Sequence, residues 1–180
     1  MSTHFLFKGE IMSKKIIIRF VVFYLLTVIL GTLSHFAFSF FNLPMFFKPI
    51  FPVNESTFEH LKLFFYPFMI FTIIEGFIYD EKLNYFIPKR GFIISFIMLF
   101  EILYISLMTK IFGTNSFINI SSYYILMLVA FIISYYLNID NKVIKIGGYI
   151  NIALWIIIFF YFTSYPLDSL IFIDPSKAST

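Results

Sequence analysis

Long apolar segments alternate with short polar ones along the whole chain, and this pattern predicts helices that cross a membrane. A bilayer requires about 20 consecutive apolar residues per helix, with about 17–25 tolerated. Five segments meet this condition, and they cover residues 16–41, 57–79, 91–111, 122–137 and 149–165. We therefore predict an all-α integral membrane helical bundle of five transmembrane helices, forming a single membrane domain over residues 1–180.

Composition supports the membrane assignment and excludes several functional classes. Hydrophobic residues make up 60% of the chain and charged residues 13%, whereas a soluble domain has about 45–50% and about 25%. Because Cys is absent, disulfides, iron–sulfur clusters and thiolate metal sites are excluded. The basic residues are scattered between apolar segments, so we expect the lipid bilayer and no nucleic acid as a partner.

The distribution of basic residues predicts the orientation of the helices. Most of the 13 Lys and Arg residues lie before the first segment, between the second and third, or between the fourth and fifth. The positive-inside rule places such connections in the cytoplasm. We therefore predict a protein of the cytoplasmic (inner) membrane with its N-terminus in and its C-terminus out. Met12 has the form of an alternative start, which leaves open whether residues 1–11 belong to the native protein.

One polar cluster stands out against the apolar background, in residues 51–62 with the sequence FPVNESTFEHLK. It lies at a predicted membrane boundary, where polar groups are costly to desolvate. Ser56 and Glu59 fit a capping box that would start the second helix, with Ser56 as N-cap and Glu59 three residues later. Capping does not account for Glu55 or His60. A functional site in this cluster therefore remains a hypothesis alongside the capping interpretation.

A second histidine is predicted at the same depth as the first. His35 lies one to two turns before the end of the first segment, and His60 lies about one turn into the second. Gly31, His35 and Ser39 recur at spacings of four, a small and polar stripe that lets another helix approach closely. We therefore predict a polar site near the outer leaflet that comprises His35, Asn54, Glu55, Glu59 and His60.

The predicted site has the composition of a metal centre. Two imidazoles and two carboxylates are suitable ligands for zinc or another divalent metal, which would be bound by His35, Glu55, Glu59 and His60. The same groups are equally suited to a proton-handling cluster without a metal. Glu59 and His60 are adjacent and point in different directions on a helix, so at most one needs to face His35. Asp174 is an additional candidate carboxylate or marks a turn.

Three charged residues inside the apolar segments carry separate expectations. Glu101 falls near the midplane, where we expect it to be protonated or bonded to a hydroxyl such as that of Thr27. A relay role, a helix-joining role and a place in the polar site are all open for Glu101. Glu75 is expected to be nearly solvated or to meet Asn151. Lys62 is expected to extend towards the outer headgroups.

The run PVNESTFEHLK resembles the motif P-V-N-E-S-x-x-E-H-L-K of a family of small multi-pass bacterial membrane proteins of unknown function. The resemblance covers about residues 31–75, and outside the motif it rests on Gly31, His35, Phe64, Phe65 and Pro67. Asp174-Pro175 is similar to the family ending, whereas residues 176–180 depart from it. The resemblance implies a multi-pass protein of a bacterial cell membrane and implies no activity.

Three functional hypotheses follow. The first is a multi-pass membrane protein with a site that binds a divalent metal or a polar lipid headgroup, with hydrolysis by a metal-bound water left open. The second is a small transporter or channel subunit that uses Glu101 and Glu75 as stations for a proton or cation. Five helices are few for a lone transporter, so this hypothesis implies a homo-oligomer. The third is a non-catalytic membrane scaffold.

Overall fold

The computed structural model describes residues 14–137, 141–175 and 177, and over these residues the chain contains helices and no strand. The prediction of an all-α chain with five long helices is confirmed. The helices are α1 (Lys14–Phe40), α2 (Thr57–Ile78), α3 (Leu83–Phe112), α4 (Ser116–Tyr136) and α5 (Lys142–Ser164). Short 3₁₀ turns cover Met45–Phe47 and Leu170–Phe172. Residues 1–11, whose place in the native protein was left open, lie outside the described residues.

All five helices are long and apolar enough to cross a membrane. Large apolar side chains are exposed around the bundle, including Leu103 at 70% and Ile157 at 62%. Apolar exposure on this scale is unusual for a protein surrounded by water. The five helices are therefore consistent with a multi-pass membrane protein.

Three helices begin six to eight residues earlier than the apolar segments that predicted them. Helix α3 begins at Leu83 instead of residue 91, α4 at Ser116 instead of 122, and α5 at Lys142 instead of 149. The first turns of α4 and α5 are capped, because the side chains of Asn115 and Asn141 accept backbone N–H groups there. A hydropathy window omits such polar first turns, although N-capping stabilises them.

Helix α2 is the most deeply buried helix of the bundle. It packs against α1 and α3, α3 also packs against α4 and α5, and α1 contacts α4. The core is largely aromatic; Phe68 of α2 meets Phe131 of α4 edge-to-face, with ring centroids 5.2 Å apart, a favoured aromatic geometry. The chain order places the 41–56 and 113–115 connections at one end, which we call the upper end, and the α2–α3 and α4–α5 connections at the lower end.

Gly31 lets three helices approach one another closely. A Cβ at this position would collide with the hydroxyl of Tyr123 from α4 and would lie 3.1 Å from the carbonyl oxygen of Leu63 from α2. The predicted small and polar stripe thus has a packing role at Gly31. Ser39 does not share that role, because it is exposed and its hydroxyl donates to the carbonyl oxygen of Phe36.

A buried ion cluster joins four helices at the lower end. Glu75 of α2 is fully buried, and its carboxylate lies 2.5 Å from donors of Arg19, Arg90 and Tyr135. Contrary to prediction, Glu75 is neither solvated nor paired with Asn151. The reason is that Arg19 and Arg90 lie within α1 and α3 and turn inward, where a buried carboxylate requires opposite charge.

Candidate metal centre

The connection between α1 and α2 is anchored to the bundle by a buried lysine. Lys62 of α2 is 1% exposed, and its ammonium group lies 2.5 Å from the Glu59 carboxylate. It also donates to the carbonyl oxygens of Lys48 at 2.8 Å and Phe51 at 3.5 Å. Contrary to prediction, Lys62 does not reach towards headgroups, because the irregular backbone of the connection needs a buried donor.

Ser56 begins α2 as predicted, but the capping box is only half formed. Its hydroxyl oxygen accepts the N–H of Glu59 at 3.4 Å, whereas its own N–H donates to Asn54 Oδ1 at 2.9 Å. The Glu59 carboxylate instead accepts the N–H of Val53 at 2.9 Å and the hydroxyl of Thr163 at 3.2 Å. Asn54 and Glu59 therefore hold the connection in place, and the structure does not bring them together with the two histidines.

Three of the predicted site residues converge at the upper end. His35 Nε2 of α1 lies 3.6 Å from Glu55 Oε1, and His60 Nε2 of α2 lies 3.4 Å from Glu55 Oε2. The two imidazole centroids are 5.2 Å apart. One ligand atom from each residue lies within 4.8 Å of the others. The Glu55 carboxylate is therefore shared between histidines from two different helices.

The two separations between Glu55 and the histidines are close to the spacing of ligands around a metal ion. A charge-assisted hydrogen bond between nitrogen and oxygen spans about 2.7–2.9 Å, which is shorter than both histidine–Glu55 separations. Ligand atoms at about 2.0–2.1 Å from a tetrahedral zinc ion lie about 3.3–3.4 Å apart. Among the described residues, the buried His60 Nε2 has no hydrogen-bond partner. Its position is therefore suited to a metal ion.

The electrostatics of the triad keep Glu55 ionised. Contact with His60 lowers the pKa of Glu55 below its ordinary value, partial burial opposes this shift, and the nearby His35 adds to the lowering. The Glu55 side chain is 53% exposed, whereas those of His35 and His60 are 22% and 23% exposed. Metal ligands must be deprotonated, so Glu55 is in the form that a divalent cation requires at neutral pH.

A cavity of about 380 Å³ lies beside the triad, between α1, α2, α3 and α4. Its polar lining includes His35, Glu55 and His60 near the opening and Glu101 further inside. Glu101 lies eleven residues before the end of α3, or about 17 Å along the helix. The structure therefore joins Glu101 to the predicted polar site through a shared cavity.

Glu101 is bonded to a hydroxyl, but not to the one predicted. Its Oε1 accepts the hydroxyl of Ser122 from α4 at 2.7 Å, whereas Thr27 donates to the carbonyl oxygen of Phe23. The sequence could have indicated Ser122 through the three-residue 113–115 connection, because two helices joined by so short a connection, here α3 and α4, are antiparallel neighbours. Glu101 Oε2 is buried and has no hydrogen-bond partner within the described part of the chain.

Asp174 is not brought to the triad and does not line the cavity. The C-terminal segment packs on α2 through Phe172, whose ring stacks on Phe58 with centroids 4.5 Å apart. Phe58 and His60 are two residues apart and therefore point to nearly opposite sides of the helix. The segment that carries Asp174 consequently lies on a different face of α2 from the triad.

The fold and the site define an all-α bundle of five helices, each long enough to cross a membrane, with a cavity at its upper end whose lining includes the triad and Glu101. No family model, no curated protein and no solved structure matches the chain. The resemblance to the bacterial family with the P-V-N-E-S-x-x-E-H-L-K motif stays a prediction.

Proposed function

We propose that this multi-pass membrane protein binds one divalent metal ion through His35, Glu55 and His60. The observation that carries the proposal is the convergence of three ligand atoms, from α1, the 41–56 connection and α2, to within 4.8 Å of one another. Two imidazoles and one carboxylate form a donor set that zinc uses in catalytic sites, with a fourth position left for water. That position would face the cavity.

The chemistry that such a site would support is the activation of water. A zinc ion with three protein ligands lowers the pKa of its bound water to about 7 and polarises the carbonyl or phosphoryl oxygen of a substrate. A hydrolytic reaction in the cavity is therefore the activity that the proposed site favours. The same donor set with open positions also suits ferrous iron. Zinc is the metal to be tested first.

We place the metal site on the outer side of a cytoplasmic membrane. The exposed basic residues of the lower end support this orientation, because the positive-inside rule assigns them to the cytoplasm. They include Lys14, Lys15, Lys82 and Lys142. Arg19 and Arg90 do not count towards this assignment, since both pair with Glu75 inside the bundle.

A proton or cation path through Glu101 and Glu75 is less well supported than the metal site. The Glu75 carboxylate is fully buried and already paired with two guanidinium groups, from Arg19 and Arg90. A carboxylate compensated in this way attracts a further cation only weakly, because its charge is already neutralised. The scaffold hypothesis accounts for Glu59 and Lys62 but leaves the triad without a role.

Zinc titration of the apo protein tests the proposal. The protein would be purified in detergent without a histidine tag, and calorimetry should give about one zinc ion per chain. Loss of a direct ligand in His35→Ala or His60→Ala should weaken zinc binding by more than about 100-fold. Mutation of a residue that only hydrogen-bonds to a metal ligand already costs about 10–100-fold in metal affinity or activity. His4→Ala removes the third histidine and is the matched control. Wild-type affinity in both triad variants would refute the metal site.

A further inference from the structure

The cavity beside the triad has a mostly apolar lining with a few polar groups, and its rim has two different sides. Glu55 and Ser116 are exposed on one side of the rim, and both are polar. Phe36 of α1 and Ile120 of α4 form the other side and are 58% and 59% exposed. The opening therefore runs from the polar end of the bundle onto its apolar flank.

The apolar side of the rim is a gap between α1 and α4. One turn closer to the lower end, the hydroxyls of Thr32 and Tyr124 lie 3.0 Å apart and join the two helices. Phe36 and Ile120 lie one turn above this bond, where the cavity reaches the flank. Because both helices are apolar enough to cross a membrane, lipid would face this gap.

The interior offers partners for two kinds of polar group. A divalent metal at the triad would bind an anionic oxygen such as that of a phosphate. Deeper in the cavity, Glu101 is 5% exposed, and its Oε2 has no hydrogen-bond partner among the described residues. A buried acceptor left without a partner is costly, so Glu101 is suited to a donor carried by a ligand.

We infer that the cavity binds the head group of a phospholipid, with the phosphate at the metal and a terminal amine or hydroxyl donating to Glu101, while the acyl chains stay in the bilayer between Phe36 and Ile120. The cavity of about 380 Å³ falls in the range of about 300–1,000 Å³ that holds small ligands. The inference rests on the proposed metal, because without it the Glu55 carboxylate would repel a phosphate.

Lipid binding by the zinc-loaded protein tests this inference. Native mass spectrometry in detergent would compare phosphatidylethanolamine, phosphatidylglycerol and phosphatidylcholine with identical acyl chains. Phosphatidylcholine is the matched control, since its trimethylammonium group has no N–H to donate. We expect at least one of the other two lipids to bind about tenfold more tightly, the effect of one hydrogen bond to a charged group. The tighter of the two identifies the donor as an amine or a hydroxyl.

Two variants connect the lipid preference to Glu101. Glu101→Leu should abolish the preference over phosphatidylcholine while zinc binding and the thermal unfolding midpoint are maintained. Ser122→Ala removes the existing partner of Glu101 but keeps its free oxygen, so the preference should persist. Equal binding of all three lipids to the wild type, or a preference that survives Glu101→Leu, would overturn the inference.

Two further experiments, a competition with soluble head groups and the removal of zinc, distinguish the ways in which the inference could fail. Glycerophosphoethanolamine or glycerophosphoglycerol should compete poorly with the corresponding whole lipid, and equal competition would overturn a lipid ligand. Removal of zinc with a chelator should abolish the preference. If zinc binds at the triad and the lipids are not distinguished, the lipid inference alone fails. If zinc does not bind, the proposed metal function fails, and the measured zinc content shows which case applies.

Discussion

Glu55 is the residue on which the candidate site depends, because it lies between imidazoles from two helices. It is the only triad member outside a helix, and its carboxylate oxygens face His35 and His60 separately. Neither histidine is bonded to it at the distance of a direct charge-assisted hydrogen bond. The two histidine–Glu55 separations are therefore closer to those between ligands of a shared cation than to direct hydrogen bonds.

Zinc affinity should fall as the pH is lowered from about 8 to about 5.5, since protons compete with the metal ion for its histidine ligands. The pKa of Glu55 is lowered by His60, so its carboxylate stays ionised over this interval and does not cause the loss. Calorimetry at several pH values measures the effect.

Glu55→Gln is the control for the pH dependence. This variant should bind zinc more weakly at every pH but show the same decline, because both histidine ligands are retained. An affinity that stays constant down to about pH 5.5 would contradict histidine ligation.

At the residue scale, the sequence predicted which groups belong to the site better than it predicted their partners. His35 and His60 could be paired because both depths follow from helix ends. Asn54 and Glu59 were included with them, although they bond to the connection and α2 instead. Hydropathy carries no information on the direction of a side chain near a helix start, so only the fold separates these roles.

At the scale of elements, the 41–56 connection is the part that positions Glu55. Its backbone carbonyl oxygens at Lys48 and Phe51 bond to the buried Lys62, which is neutralised by Glu59. Irregular backbone near a membrane boundary is tolerated when buried in protein. Lys62 therefore connects the conformation of this segment to the position of Glu55, the proposed metal ligand.

Lys62→Met should lower both thermal stability and zinc affinity. Removing one partner of a buried ion pair costs about 3–5 kcal/mol, and the connection would lose its donor. Lys48→Met is the matched control, because only the backbone carbonyl of Lys48 takes part in this contact. Thermal unfolding in detergent and zinc calorimetry would check both effects. Equal unfolding midpoints for the two variants would show that Lys62 does not anchor the connection.

The existence of the helices was predictable from the sequence, whereas several of their starts were not. Apolar length identified all five, but α3, α4 and α5 begin six to eight residues before the apolar segments. Those first turns contain Asn, Ser and Lys residues, and caps at Asn115 and Asn141 stabilise two of them. The start of α3 has no side-chain cap, so capping accounts for two of the three early starts.

At the scale of the whole molecule, two polar clusters occupy opposite ends of the bundle. The Glu75 cluster joins α1, α2, α3 and α4 at the lower end and is closed by ion pairs. The triad and its cavity lie at the upper end and retain unpaired buried atoms. At the lower end the one buried atom of the cluster without a hydrogen-bond partner among the described residues is Arg90 Nε, a donor beside the paired Glu75 carboxylate, whereas the upper cluster has unpaired atoms of His35, His60 and Glu101 around an open cavity and is the better suited of the two to a ligand.

Cysteine labelling tests the orientation of the bundle, because the chain contains no Cys of its own. Thr114→Cys places a thiol at the upper end and Lys82→Cys places one at the lower end, both at exposed positions. A membrane-impermeant maleimide applied to intact cells should label the first variant and should label the second only after permeabilisation. The reverse pattern would place the metal site in the cytoplasm.

The most direct test of the metal site is X-ray absorption at the zinc edge of the zinc-loaded protein. We predict scattering from two imidazole nitrogens and carboxylate oxygen at about 2.0–2.2 Å. His60→Ala should lose one imidazole, whereas His4→Ala should give the wild-type spectrum. A zinc spectrum without imidazole scattering, or one that His60→Ala leaves unchanged, would contradict ligation by His35, Glu55 and His60.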